Sequence, residues 1–434
     1  MDEVTTSSRL SWKWHRLAHV CQTWRDIIFS SSRHLNLELL CTDGTPVRKN
    51  LGYLPVLPIV ISFPCCIEDS DEDNILAALE HPDRVRDVEL YVPYSLFEKM
   101  ATVMQRPFPA LTRLWLQSND DEPMLVLPDA FLGGRAPCLQ TIYLDGIPFP
   151  AAPTLLLSAR NLIDINLCDI PDTGYISPEA TVASLAALSG LKYLTLGFRM
   201  GTSYPDPIRL PPITRTVLPA LTTFFFNGLF EYLEDFVAQI DTPQLNKLAI
   251  EYLDEDDDLD FPIPQLCRFI DRSEKLKLSQ FRRVDLDLQP FGIKLDGGRS
   301  SLKFSVQFSG TSQLLSQICG MLSNVDRLFI SSMGKEYKLG YHEYQWPELL
   351  RPFTAVKVLR IQGEVSRCVA LELGRVTGEN AAEVLPALES LCLEDQLVTS
   401  VKEFVAARQS VGRPVTVINN GREFQERLGP NVSE

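Results

Sequence analysis

One hydrophobic pattern recurs along most of the chain. It consists of an apolar residue, two variable positions, a second apolar residue, one variable position and a third, as in Leu111, Leu114 and Leu116. Successive copies start 23 to 44 residues apart. The eleven copies begin at Val85, Leu111, Leu139, Leu162, Leu191, Leu221, Leu245, Phe281, Val325, Val356 and Leu388. Because self-similarity at such a period is typical of stacked supersecondary units, the pattern predicts a repeat architecture.

Each copy predicts a short strand followed by a return helix. Its last two apolar positions are two residues apart and therefore point to the same side of a strand. Apolar residues between copies have helical spacing, most clearly in 181–188, 230–240, 263–272 and 313–322. Neither element can bury its apolar face alone, so stacking predicts a continuous core with parallel strands on one side and helices on the other. An ordinary α/β domain with apolar strands is the alternative interpretation.

This pattern resembles the leucine-rich repeat family over roughly residues 80–420. The complete form, with asparagine at the ninth position, occurs once and ends at Asn119. In the family, an asparagine ladder there satisfies buried main-chain groups from repeat to repeat. Its loss and the uneven repeat lengths predict an irregular α/β solenoid over 81–396, with parallel strands on the concave side and helices on the convex side. Residues 397–420 are expected to form a C-terminal cap helix and strand, and 421–434 a disordered tail.

The N-terminal region has a different pattern. Residues 10–29 contain neither proline nor glycine, and their apolar residues repeat at helical spacing, which predicts an amphipathic helix. A short alternating strand is predicted over 34–40. One interpretation of the helix is a cap that shields the first repeat, which any stack of repeats requires.

The amino-acid sequence of this helix supports a second interpretation. Trp14-x-x-Leu17-x-x-Val20-Cys21-x-x-Trp24-Arg25, followed by Ile27-Ile28-Phe29, resembles the C-terminal half of an F-box. The continuation to about residue 61 resembles fungal F-box proteins with irregular leucine-rich repeats. The resemblance implies a partial F-box-like helical segment over 1–45, and a linker with an N-terminal cap over 46–80.

In that family the F-box docks onto a Skp-type adaptor of a cullin–RING ubiquitin ligase, and the repeats recruit the protein to be ubiquitylated. The adaptor-binding residues that the resemblance implies are Trp14, Leu17, Val20, Cys21, Trp24 and Ile28. F-boxes open with a leucine-proline-x-glutamate helix, whereas this chain has nine residues before Leu10. The expectation is therefore either a wrongly assigned initiator or a truncated relative with impaired adaptor binding.

Composition narrows the classes of partner. The chain has 434 residues and a net charge of −15, which argues against nucleic acid or an anionic membrane as a partner. The acidic N-terminus lacks the apolar core of a secretory signal, and prolines interrupt the most apolar stretch, 51–66. A cytoplasmic or nuclear location follows as an expectation, with the ten cysteines reduced.

The sequence lacks the common motifs of catalysis and cofactor binding. It contains no GxxxxGK[ST], GxGxxG, HExxH or GxSxG motif and no CxxC pair. His15 and His19 share a helical face without further ligands, and the acidic run 254–258 lacks the spacing of a calcium loop. We therefore expect no enzyme activity, cofactor or metal. A hydrolase or transferase would instead require a clustered acid–base pair.

Candidate binding residues lie between the core positions of the strands. Alternation directs these side chains outward, so that they form columns across strands spaced about 4.8 Å apart. The residues predicted to bind substrate are Tyr91, Arg113, Trp115, Tyr143, Tyr193, Phe225, Phe329 and Arg360. Trp115 and Tyr143 occupy equivalent positions in consecutive copies, which suits an interaction hot spot. The alternative is that loops cover these aromatic rings.

The sequence thus predicts a non-enzymatic substrate-recognition subunit of a Skp–cullin–F-box ubiquitin ligase, with an unknown protein substrate bound by the repeats. The alternative is a leucine-rich-repeat scaffold whose degenerate F-box no longer binds the adaptor.

Overall fold

A computed structural model describes most of the chain. The described residues are 20–30, 38–52, 56–63, 67, 69–118, 125–150, 154–199, 214–252, 263–276, 281–288, 291–296, 300–305, 322, 324–332, 346–363, 365–376 and 380–419. Several predicted features lie outside this set, namely Trp14, Leu17, both histidines of the N-terminal helix, Asn119, the acidic run 254–258, most of the helix predicted over 313–322 and the tail 421–434.

The chain divides into two compact units. Unit 1 comprises Met1–Ser203 and Thr216–Leu221, and unit 2 comprises Tyr204–Arg215 and Thr222–Glu434. Each unit combines helices with a sheet of mostly parallel strands. The predicted α/β class is therefore confirmed in both.

Unit 1 contains eight strands and six α-helices among its described residues. The strands are β1 (Leu39–Cys41), β2 (Ile59–Phe63), β3 (Val85–Tyr91), β4 (Arg113–Gln117), β5 (Thr141–Asp145), β6 (Asp164–Ile170), β7 (Tyr193–Phe198) and β8 (Thr216–Val217). The helices are α1 (Gln22–Ser30), α2 (Val47–Leu51), α3 (Asp69–Leu79), α4 (Tyr94–Val103), α5 (Thr154–Ser158) and α6 (Pro178–Leu185). Short 3₁₀ turns occupy Phe131–Gly134 and Asp172–Gly174.

Strands β1 to β7 pair in parallel in the order of the sequence. Two columns of core residues run across them in register, for example Leu114–Ile142–Ile165 and Leu116–Leu144–Leu167, and all six side chains are buried. The sheet also includes β1 and β2, which precede the first copy of the repeat pattern. Apolar residues alternate along these two strands but do not have the spacing of the repeat. Helix α3 packs against both of these strands.

The same main-chain hydrogen bonds recur before successive strands of unit 1. The first apolar residue of the copies at Leu111, Leu139, Leu162 and Leu191 donates its N–H to the carbonyl three residues earlier. The next residue donates to its counterpart one copy before, as Gln140 does to Thr112 at 2.8 Å. These bonds satisfy the turn backbone from copy to copy without asparagine.

One glycine is fixed by such close packing. Gly146 follows β5 with a φ of +69°, and a Cβ atom there would lie 2.3 Å from the carbonyl oxygen of Ser118. Only glycine avoids both the strain of a positive φ and this contact.

Unit 2 contains ten strands and six α-helices among its described residues. The strands are β9 (Thr223–Gly228), β10 (Ile240–Asp241), β11 (Lys247–Tyr252), β12 (Arg283–Leu288), β13 (Phe291–Asp296), β14 (Ser301–Ser305), β15 (Arg327–Ser332), β16 (Val358–Gly363), β17 (Ser390–Leu393) and β18 (Thr416–Asn419). The helices are α7 (Phe230–Ala238), α8 (Pro264–Arg272), α9 (Trp346–Leu350), α10 (Val365–Arg375), α11 (Asn380–Glu383) and α12 (Lys402–Ser410). A 3₁₀ turn occupies Asp395–Leu397.

The sheet of unit 2 departs from sequence order at one place. Its strands run β9-β11-β14-β13-β12-β15-β16-β17-β18, and β13 is antiparallel to both of its neighbours. The other pairings are parallel. The sequence pattern did not predict β13 and β14, which insert a hairpin between two strands of the repeat.

Helix α7 covers the first strand of unit 2 with aromatic side chains. The rings of Phe236 and Phe224 have centroids 5.5 Å apart, and those of Tyr232 and Phe226 are 5.8 Å apart and stacked. The same helix carries Glu234, a buried carboxylate whose two oxygens accept hydrogen bonds from main-chain amides at the start of α8. Helix α7 thus packs on β9 through aromatic contacts and is joined to α8 through the Glu234 carboxylate.

The C-terminal elements are a 3₁₀ turn, helix α12, which begins at Lys402, and strand β18. Strand β18 adds to β17 in parallel. Arg408 of α12 is fully buried and donates to the carbonyl oxygens of Ala381, Pro386 and Leu388, at 3.3, 3.4 and 3.1 Å. Its guanidinium thus holds the turn that leads into β17.

Candidate functional site

The first candidate surface is the apolar face of helix α1. Val20 lies two residues before the helix, and Trp24 and Ile27, three residues apart, share one helical face. Their exposed fractions are 63%, 48% and 53%. A helix that capped the first strand would bury this stripe, whereas the described residues leave it open.

The other predicted adaptor-binding residues are only partly described. Cys21 is exposed and its carbonyl accepts the first hydrogen bond of the helix, from the N–H of Arg25. Ile28 lies within α1, but its side chain is outside the described set, as are Trp14 and Leu17. Ile27 was not among the predicted contact residues, although its helical spacing in the sequence could have selected it.

The second candidate surface is the outward side of strands β3 to β7, called here the unit 1 strand face. Register places Trp115 between Glu89 and Tyr143, and Tyr143 between Trp115 and Asn166. Tyr193, on β7, is 47% exposed. The predicted residues of unit 1, which also include Tyr91 and Arg113, therefore lie on one side of one sheet.

An aromatic cluster forms the middle of the unit 1 strand face. The rings of Trp115 and Tyr143 meet edge to face, with centroids 4.9 Å apart at 64°. The guanidinium carbon of Arg113 lies 5.6 Å from the centre of the Trp115 ring, and its Nη2 donates to Glu89 at 3.0 Å. The Trp115 Nε1 atom is buried and has no hydrogen-bond partner in the described part of the chain. The ring is therefore partly packed and fixed in orientation.

Half-buried carboxyl groups surround this cluster. The Tyr143 hydroxyl donates to Asp145 at 3.1 Å. Burial raises the pKa of Asp145, and the hydrogen bond from Tyr143 offsets part of this rise. Burial also raises the pKa of Asp164. Both groups are thus held in surroundings that disfavour their ionised form.

Cys168 lies on the same face, next to Asp145 in the register. Its thiol donates to Asn166 Oδ1 at 2.9 Å. Burial and the neighbouring carboxylates raise the pKa of this thiol to about 12, so it is protonated at neutral pH. This environment favours an inert thiol over a nucleophile.

The third candidate surface is the outward side of β12, β15 and β16 in unit 2, called here the unit 2 strand face. Phe329 lies between Asp285 and Arg360 in the register. The guanidinium carbons of Arg283 and Arg360 lie 5.5 and 5.6 Å from the centre of its ring. Two cations from neighbouring strands therefore flank one aromatic ring.

Phe225, the remaining predicted residue, is on β9 and neighbours Ala249 on β11, apart from Phe329 and Arg360 in the strand order. Arg283 was not among the predicted residues. It occupies an outward position in the weak copy that begins at Phe281, so the same alternation could have selected it.

Among the described residues, no group of three or more histidine, cysteine, aspartate or glutamate residues is arranged to hold a metal ion. Within the same ranges, no helix has both the length and the apolar character needed to cross a membrane. The described surfaces present aromatic and charged side chains that can contact another protein.

Comparison with known sequences adds no family assignment. Neither a scan against models of protein families nor a search of curated proteins gave a match.

Proposed function

We propose that this chain is a substrate-recognition subunit of a Skp–cullin–F-box ubiquitin ligase, acting in the cytoplasm or nucleus without catalysis of its own. Helix α1 docks onto the Skp-type adaptor, and the strand faces bind a protein substrate. The observation that carries the proposal is the exposed apolar face of α1, because it belongs to the segment whose sequence resembles an F-box.

The exposure of α1 supports docking in energetic terms. A tryptophan buries about 150–250 Å² on full burial, so the exposed half of Trp24 offers about 100 Å². At about 25 cal/mol per Å², covering it contributes roughly 2.5 kcal/mol, and Ile27 adds about 1 kcal/mol. Free energies of this size are those of interface hot spots.

We further propose that each unit is a stack of irregular leucine-rich repeats. The recurring turn and the copy-to-copy hydrogen bonds support this assignment, since they place each strand in the same relation to the one before it. In unit 2, Lys357, Glu389 and Thr416 continue the bonds at 2.9 Å each. The outward residues between core positions are then free to differ from copy to copy and to recognise one particular substrate.

The test is capture of a purified Skp-type adaptor by the tagged full-length chain. The variant Trp24→Ala with Ile27→Ala removes the apolar face and should weaken capture about a hundredfold or more, from the areas above. The matched control, Gln22→Ala with Asp26→Ala, changes two exposed positions on the opposite side of the same helix. It should leave capture unchanged.

Absence of adaptor binding by a folded wild-type chain would overturn the ligase assignment. Equal loss in both variant pairs would show that the apolar face is not the contact. If the chain binds protein partners but no adaptor, the result would support the alternative, a leucine-rich-repeat scaffold whose degenerate F-box no longer binds the adaptor.

A further inference from the structure

The unit 1 strand face carries more negative than positive charge. The charged residues that point outward in register on its strands are Asp87, Glu89, Asp145, Asp164 and Arg113. Glu89 and Arg113 form an ion pair at 3.0 Å. The other three carboxylates form no ion pair in the described part of the chain. This side of the sheet is therefore negative after its internal pairs are formed.

The cations that border the face are already paired with other carboxylates. Arg86, on β3, pairs with Glu38 at 3.2 Å, which leaves Asp87 with a hydrogen bond from a threonine hydroxyl. Arg199, which follows β7, pairs with Asp169 at 2.7 Å. The excess of negative charge on the face is thus not neutralised by these arginines.

Asp145 and Asp164 are the two half-buried carboxylates without a cation of their own. Asp145 accepts a hydrogen bond from the neutral Tyr143 hydroxyl at 3.1 Å. Asp164 forms no side-chain hydrogen bond within the described ranges. Burial raises the pKa of each carboxyl, so their ionised forms do not stabilise the fold at neutral pH. Folding therefore does not account for the presence of either group.

An aromatic ring lies beside each of these two carboxylates. Tyr143 is two residues before Asp145, on the same side of β5. Tyr193 neighbours Asp164 in the register and is 47% exposed. A ring next to a carboxylate suits an arginine side chain, because the ring attracts the cation and the carboxylate accepts its hydrogen bonds.

The same face already holds one guanidinium group in this way. The guanidinium carbon of Arg113 lies 5.6 Å from the centre of the Trp115 ring, and its Nη2 donates to Glu89 at 3.0 Å. The carboxylate and the ring come from the neighbouring strands β3 and β4. Strands β5 to β7 repeat the combination of carboxylate and ring, but there the guanidinium group is not supplied by the described residues.

We propose that the unit 1 strand face binds an extended, arginine-rich segment of a partner protein, whose guanidinium groups pair with Asp145 and Asp164. Asp145 neighbours Cys168 in the register, four residues beyond Asp164, so the two carboxylates are about 14 Å apart. Arginines four residues apart on an extended segment have nearly the same separation, about 13 Å. The inference names the class of substrate for unit 1 and so rests on the proposed function.

Binding of a defined peptide to the full-length chain tests this inference. The probe is a fluorescein-labelled peptide of alternating arginine and serine, about ten residues long, which spans roughly 33 Å when extended. Alternation places all its arginines on one side and includes pairs that are four residues apart. Fluorescence anisotropy is measured at low ionic strength, where charged contacts are least screened. A peptide of alternating glutamine and serine serves as the neutral probe.

The variants separate the unit 1 strand face from the general charge of the chain, which at −15 attracts any cationic peptide. Asp145→Asn with Asp164→Asn should weaken binding of the arginine peptide at least about tenfold, since two charge-assisted contacts are lost. The control, Asp73→Asn with Glu98→Gln, removes the same charge from exposed positions on α3 and α4. It should change affinity less than about twofold.

Two further variants guard against misfolding. Asp164→Asn alone should weaken binding and at the same time raise the thermal midpoint at pH 7, because ionisation of this buried carboxyl costs stability. Lower affinity in a more stable protein is not a result of misfolding. Tyr193→Leu keeps an apolar side chain but removes the ring, so it should weaken binding with all charges retained. Circular dichroism of each variant is compared with that of the wild type.

Three results would overturn the inference: no binding of the arginine peptide by the wild type, equal binding of the neutral peptide, or equal loss in the Asp145–Asp164 pair and the control pair. Adaptor capture is measured on the same samples and involves α1, not this face. Failure of peptide binding with adaptor capture intact therefore contradicts the substrate class alone, and failed adaptor capture contradicts the ligase assignment.

Discussion

Glu234 provides the sharpest test of how unit 2 is held together. Its side chain is 8% exposed, and its oxygens accept hydrogen bonds from the N–H groups of Gln265 and Leu266, both at 2.8 Å. Helix α8 begins at Pro264, which has no N–H, and the residue before it, Ile263, supplies no side-chain cap. A carboxylate from another helix therefore satisfies the free amides of the first turn.

Replacing Glu234 with alanine removes both acceptors at once. A hydrogen bond to a charged group contributes about 1.5–3 kcal/mol, and water entering the site recovers part of the loss. We expect a destabilisation of about 3 kcal/mol, because the favourable interaction of the carboxylate with the helix dipole is also lost. That corresponds to a factor of about a hundred in the equilibrium for opening this part of the structure.

Hydrogen exchange of the full-length chain, detected by mass spectrometry, measures this opening equilibrium at the start of α8. Glu234→Ala should lower the protection of the peptide that contains Gln265 and Leu266 by about a hundredfold, and unit 1 peptides should be unaffected. The control is Glu231→Ala, one turn earlier on the same helix, which accepts no hydrogen bond from α8. If both variants exchange alike at the start of α8, the proposed capping role is wrong.

Three more outcomes are expected. Arg408→Met should lower the free energy of unfolding by about 2–4 kcal/mol in urea titration, because three main-chain carbonyls lose their donor; an unchanged midpoint would refute this. Burial raises the pKa of Asp164, so ionisation costs stability as pH rises through that pKa. Asp164→Asn should therefore raise the thermal midpoint at pH 7 and have no effect near pH 3; a lower midpoint at pH 7 would contradict the assignment. Burial also raises the pKa of Cys41 to about 12, so at pH 8 about one thiol in 10⁴ is ionised. A disulfide reagent should modify exposed Cys138 rapidly and leave Cys41 unmodified, as mapped by mass spectrometry; equal labelling would be inconsistent with this burial.

The repeat strands could be predicted because their apolar side chains must face a shared core. Leu114 and Leu116 are two residues apart, and both are buried in β4. Their equivalents in other copies, such as Leu359 and Ile361, are buried in the same way. The pattern is local in sequence, so it indicates the strands without any knowledge of their neighbours.

The inserted hairpin of unit 2 shows where this reasoning fails. Strands β13 and β14 alternate apolar residues, with Ile293 and Leu295 in one and Leu302 and Phe304 in the other, and all four are buried. Two consecutive glycines separate these strands in the sequence, which is a turn signal. A search for the spacing of the repeat alone passes over them, whereas a search for simple alternation would have identified the pair.

The candidate surfaces were predictable only in part. Alternation alone brings Trp115 next to Tyr143 and Phe329 next to Arg360, and the register agrees. It gives no information on how the Trp115 ring is packed. The cap at Glu234 was also beyond sequence reasoning, since its partner Gln265 is 31 residues away and belongs to another helix.

Docking of α1 onto a Skp-type adaptor can be tested by hydrogen exchange of the chain with and without saturating adaptor. A nine-residue exposed helix is marginal by itself, so its amides should exchange rapidly in the free chain. Bound adaptor should slow exchange in residues 20–30 and leave the strands from β3 onward unchanged. Unchanged exchange in residues 20–30 at saturating adaptor would contradict it.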